Sequence, residues 1–166
     1  MFVGRNHELE ILEQCYQSEK FECLILYGRR RVGKTALIRE FVHNKRCIFF
    51  TGIETTADEN LNMFSQSIYQ CDHESGEWPI YPSFDAAFKA IADMSNNQNL
   101  VLVLDEYPYL AKSYPAISSI LQKKYRFILP IKSTLNVNYL RFVHVIYGTS
   151  SIGISKSAVW STNRTA

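Results

Sequence analysis

The sequence predicts an α/β domain whose parallel sheet is covered by helices on both faces. Three observations carry that expectation. Apolar runs of strand length recur at 23–27, 47–51 and 100–104, helical periodicity fills the stretches between them, and turn residues mark the joins. With 166 residues, 46% of them hydrophobic, the chain can enclose one core.

The elements follow in order. Leu9, Ile11, Leu12 and Tyr16 stand near helical spacing within residues 8–16, and Cys23 to Tyr27 then read as a buried strand that Gly28 ends. Ala36, Leu37, Ile38 and Phe41 mark a helix over 35–43, followed by a second short strand at 47–51. Thr56 and Glu59 have the spacing of a capping box, opening a helix through Leu61, Phe64 and Ile68. Gly76, Pro79 and Pro82 make 72–82 an exposed loop, after which Ser83 can cap a helix striped by Phe84, Ala87, Phe88 and Ile91. Asn96 to Asn99 close that helix before the third strand, which ends at Asp105-Glu106. Beyond Gln122 the pattern deteriorates.

Composition excludes several function classes. Eighteen basic against 16 acidic side chains leave a net charge of +2, too small a field to attract nucleic acid or anionic lipid without a local patch. The N-terminus has no basic segment followed by an apolar stretch, and no run approaches the roughly 18 apolar residues of a membrane span. Cys15, Cys23, Cys47 and Cys71 form no C-x-x-C pair and read as plain thiols of a cytoplasmic protein. His7, His43, His73 and His144 form no ligand-spaced set.

Gly28 to Thr35 fits G-x-x-x-x-G-K-[ST] and lies where that pattern has meaning, between a buried strand and a helix. Glycines let successive N–H groups face a phosphate, and the new helix adds its N-terminal dipole. Lys34 would bring a charge to the outer phosphates, and the Thr35 hydroxyl would ligate Mg²⁺, which takes oxygen ligands. The nucleotide is expected along Gly28, Arg29, Arg30, Arg31, Val32, Gly33, Lys34, Thr35 and Ala36. The three arginines matter through their backbone N–H groups, or else form a solvated basic turn. Asp105 and Glu106 emerge at a strand's C-terminal end, where open α/β sheets place their ligands. Asp105 would hold the metal and Glu106 would orient and deprotonate the attacking water. Lys34 and Glu106 are thus the expected catalytic residues, and Thr35 and Asp105 the metal ligands. Tyr107, Tyr109 and Tyr114 read as packing aromatics, with a stacking platform for single strands as the alternative.

Phe2-Val3-Gly4-Arg5 followed by Glu8-Leu9, the loop Gly28 to Thr35 with its three arginines, and Asp105-Glu106-Tyr107-Pro108-Tyr109-Leu110 occur in that order. From Phe2 to about Gln122 the chain resembles the archaeal-type ATPases, an AAA-like group of P-loop NTPases that is also widespread in bacteria. The resemblance implies a three-layer RecA/AAA-like core that binds ATP and Mg²⁺. It also implies adenine contacts from Val3, Gly4 and Arg5. The helical lid and C-terminal module of such proteins are expected to be lacking, leaving the core incomplete and its ATP turnover slow or absent. A non-catalytic nucleotide-binding remnant and a nucleic-acid-binding module are the alternatives, and the resemblance names no protein partner.

Residues 1–130 are therefore expected to form the ATP-binding core and 131–166 a tail that packs poorly. The tail is further expected to be read in a shifted frame. One base later, the degenerate code allows Leu135 to Gly148 to read L-M-L-I-I-C-G-S-F-M-S-F-M-E, similar to the family's hydrophobic strand and sensor segment. In frame, Val143 to Ser150 can pass for a strand ending in a polar sensor, which is the competing explanation.

Overall fold

The computed structural model describes residues 5–18, 22–29, 31–96, 98–121, 140–147 and 153–156. Within them the order is α1 (Asn6–Gln17), β1 (Glu22–Gly28), α2 (Lys34–Val42), β2 (Cys47–Thr51), α3 (Ala57–Gln70), α4 (Phe84–Met94), β3 (Leu100–Asp105), α5 (Tyr107–Ser113), β4 (Leu140–Tyr147) and β5 (Gly153–Lys156). The strands form one sheet in the order β2-β3-β4-β1-β5. β2, β3, β4 and β1 run parallel, whereas β5 pairs antiparallel with β1 from Leu24↔Lys156 to Tyr27↔Gly153. A connection between parallel strands needs a dozen or more residues, and only 148–152 separate β4 from β5, so the reversal follows from chain length.

The alternation of β3 builds the layers. Leu100, Leu102 and Leu104 point into a core with Ile48 and Phe50 of β2, Phe64 and Ile68 of α3, Phe84, Phe88 and Ile91 of α4, and Leu110 of α5. Val101 and Val103 face the other way, against Leu24 and Leu26 of β1, Leu12 of α1, and Leu37, Ile38 and Phe41 of α2. A strand buried on both faces has no polar alternation, which is why 100–104 reads as one aliphatic run.

Both anticipated helix caps form. Thr56 accepts from the Glu59 backbone N–H at 3.2 Å and donates to its carboxylate at 3.4 Å, while Ser83 accepts from the Ala86 N–H at 3.2 Å. The place beside β3 is taken by a strand from late in the chain. β4 fills it, pairing with β3 from Leu100↔Leu140 to Leu104↔His144 and with β1 along its other side. At the end of the sheet away from Asp105, Arg46 forks onto both oxygens of Asp72 and also donates to Met94 O at 2.8 Å, joining the start of β2 to the ends of α3 and α4.

Candidate functional site

β1 ends at Gly28, and the chain turns through Arg31 (φ 62°) and Gly33 (φ 84°) before α2 begins at Lys34. Left-handed backbone is uncommon for a residue with a Cβ, so the loop holds Arg31 in a costly conformation. At Gly33 an added Cβ would meet nothing within 4 Å, so the glycine there answers to its backbone angle and not to crowding. Among the described residues no side chain caps the start of α2, which leaves N–H groups of its first turn facing the loop.

Lys34 folds back over this loop, its Nζ donating to Gly28 O at 2.8 Å and Arg29 O at 2.5 Å. Its side chain is only 2% exposed. Burial pushes its pKa down from the ordinary lysine value, the Asp105 and Glu106 carboxylates pull it back up, and Arg5 pushes it down again. The Thr35 hydroxyl donates to Asp105 Oδ2 at 2.9 Å, although the two residues are 70 apart in sequence and β4 separates β3 from β1, the strand that leads into the loop. Asp105 is buried, and its Oδ1 accepts the Glu106 backbone N–H at 3.0 Å. Glu106 itself is half-buried and left-handed (φ 50°, ψ 37°) at the N-cap of α5.

The structure thus brings Gly28, Gly33, Lys34, Thr35, Asp105 and Glu106 to one end of the sheet. Arg5 joins them, its Nη2 donating to Val32 O, while its buried Nη1 has no partner among the described residues. Arg29, Arg31 and Ala36 are exposed around the loop. Val3, Gly4 and Arg30 lie outside the described residues. Thr35 Oγ1 and the Asp105 carboxylate form a hard-oxygen donor pair, which suits Mg²⁺.

Sequence reasoning missed α5 and two residues that act on it. Pro108 in the first helical turn was the available signal for the helix. Asn60 occupies the same helical stripe as Phe64 and Ile68, and a polar residue in an apolar stripe signals a buried hydrogen-bond centre. Gly52 carried no sequence signal.

A parallel sheet with a phosphate-type loop after β1, an acidic pair after β3 and β4 inserted between them defines a P-loop NTPase core. The chain belongs to the family of ATPase domains found predominantly in Archaea, whose family model matches residues 2–163. An uncharacterized protein of Methanocaldococcus jannaschii is 27% identical over 124 residues, a match covering 74% of this chain and 26% of that relative. An uncharacterized ATP-binding protein of the same organism is 56% identical over 46 residues, covering 28% of this chain and 78% of that protein. Among solved structures, the ORC2 protein of Aeropyrum pernix, in ADPNP–ADP complexes, superposes with a TM-score of 0.58 at 22% identity. That superposition covers 90% of this chain and 42% of ORC2, and it supports the fold. No helix among the described residues is long and apolar enough to cross a membrane.

Proposed function

We propose that this domain binds ATP with Mg²⁺ and hydrolyses it to ADP and phosphate. The observation that carries the reading is the Thr35–Asp105 hydrogen bond reaching across β4, with Lys34 buried beside it at the mouth of the loop. Phosphates would be held by the backbone N–H groups of 28–35 and by the Lys34 ammonium, with Val3, Gly4, Arg5 and Ala36 completing the nucleotide contacts. Thr35 and Asp105 would hold Mg²⁺, which neutralises charge on the phosphate oxygens when bound. Glu106 would accept a proton from the water whose oxygen bonds to the γ-phosphorus as the bond to the ADP oxygen breaks. The ATP-binding relative in M. jannaschii, 56% identical over its match, is in keeping with this. The four cysteine thiols fit a reducing, cytoplasmic setting.

Glu106→Gln tests the catalytic half. Binding of a fluorescent ATP analogue should persist, while phosphate release falls by about 100-fold or more, the range of a lost general base. Phosphate release from both proteins no faster than from ATP alone, with binding intact, would favour a non-catalytic nucleotide-binding domain, and equal release above that level would remove Glu106 as the base.

A further inference from the structure

The loop between β2 and α3, residues 52–56, lies against the turn that carries Glu106. Gly52 N–H donates to Asp105 O at 2.9 Å. A Cβ at Gly52 would stand 3.0 Å from Glu106 O and 3.2 Å from both the backbone nitrogen and the Cβ of Leu110, so a side chain here would force the Glu106 turn to give by a few tenths of an ångström. Glu106 O cannot simply swing aside, because it accepts the Tyr109 N–H at 3.0 Å in the first turn of α5.

Asn60 secures the same loop from behind. It is fully buried, its Oδ1 accepts the Ile53 N–H at 3.2 Å, and its Nδ2 donates to Ile53 O at 3.1 Å, Thr56 O at 3.3 Å and Ser113 Oγ at 3.1 Å. Ser113 in turn donates to Leu110 O at 3.0 Å. Loop 52–56 and the first turn of α3 therefore meet α5 at two places, Gly52 against the Glu106 turn and Asn60 at Ser113.

We propose that Gly52 and Asn60 are positioning residues, forming a strap that holds Glu106 in its left-handed conformation and so directs its carboxylate. The inference concerns backbone geometry. Its bearing on hydrolysis rests on the reading of Glu106 given above.

The preference at position 106 between glycine and alanine reports the backbone there. Left-handed geometry favours glycine, whereas ordinary geometry favours alanine. In the otherwise wild-type chain, Glu106→Gly should be more stable to urea than Glu106→Ala. Adding Gly52→Ala or Asn60→Ala should reverse that order, with the ratio of the two unfolding constants changing by about tenfold. Ser113→Ala, which removes one of the Asn60 bonds, is the milder variant and should move the ratio the same way by less. An unchanged ratio in all three backgrounds overturns the strap. With Glu106 in place, Gly52→Ala should leave ADP affinity within about twofold while lowering turnover about tenfold, a split that general loosening of the fold would not produce. If the ratio shifts as expected but Glu106→Gln hydrolyses like wild type, the strap stands and the hydrolytic role of Glu106 falls.

Discussion

Lys34→Ala is the most direct perturbation of the site. In the wild-type chain the ammonium is buried and bonded to two loop carbonyls, Gly28 O and Arg29 O, so the loop is already curled around the place a phosphate would take. MgADP at about 100 times its dissociation constant should stabilise the fold by about 2.7 kcal/mol. For a chain of this size that is a rise of roughly 5 to 10 °C in Tm. A hydrogen bond to a charged group is worth about 1.5 to 3 kcal/mol, so its loss weakens binding by one to two decades. At the same ligand concentration, Lys34→Ala should then gain only about 0.4 to 1.4 kcal/mol. Differential scanning calorimetry with and without MgADP reads both values. Identical ligand shifts in the two proteins would refute the phosphate-binding role of Lys34.

The same experiment has a pH dependence whose sign is fixed. Burial lowers the Lys34 pKa in the folded state, so between that value and the unfolded one the unfolded chain binds more protons and unliganded stability rises with pH. A phosphate favours the charged form, so the MgADP-induced shift should shrink as pH rises through the folded pKa, earlier than an exposed lysine would dictate. Lys34→Ala should show no such decline.

Further outcomes follow from other residues. Thr35→Val and Asp105→Asn should each abolish the advantage of MgADP over ADP with EDTA in the melting experiment while leaving part of the EDTA value; an unaltered magnesium increment would remove them as metal ligands. Burial pushes the Cys47 thiol up to about 12 and Cys71 up to about 11. Against an unfolded value near 8.5, the Cys47 thiolate fraction at neutral pH drops about three-thousandfold. Native-state alkylation at Cys47 should therefore be far slower than in urea, and equal rates would contradict its placement. Sequencing the gene decides the reading of 131–166: the next frame should encode the Cys-Gly-Ser segment, and stop codons there would eliminate the idea.

The parts of the fold that were legible are those in which local chemistry and tertiary environment agree. β3 is buried on both faces, and β1 and β2 are buried on one face and mostly half-buried on the other, so all three read as apolar runs, and Thr56 and Ser83 cap their helices through local hydrogen bonds. β4 is harder to read, because Arg141 and His144 interrupt its apolar run although it is central in the sheet. α5 is short, and its Tyr-Pro-Tyr start resembles a loop as much as a helix. In the site, Lys34, Thr35, Asp105 and Glu106 were legible because they fit a spaced pattern in the right order. Gly52 was not, since its role depends on contact with residues more than 50 positions away that no local pattern encodes.

The place of β4 in the sheet also governs when the site can assemble. β1 and β3 never touch as strands; both wait for residues 140–147, so the pairing of Glu22 with Arg141 and of Leu100 with Leu140 closes two large loops of chain at once. Such non-local pairing slows folding. As the chain leaves the ribosome, β2 and β3 can pair from residues 47–105 alone, while β1 remains an apolar strand with no partner yet made. Until β4 arrives, two long edges of aliphatic sheet stand open, and the nascent chain is at its most prone to aggregate. Thr35 and Asp105 come together only when that slot is filled, so competence to hold a nucleotide is among the last properties the folding chain acquires.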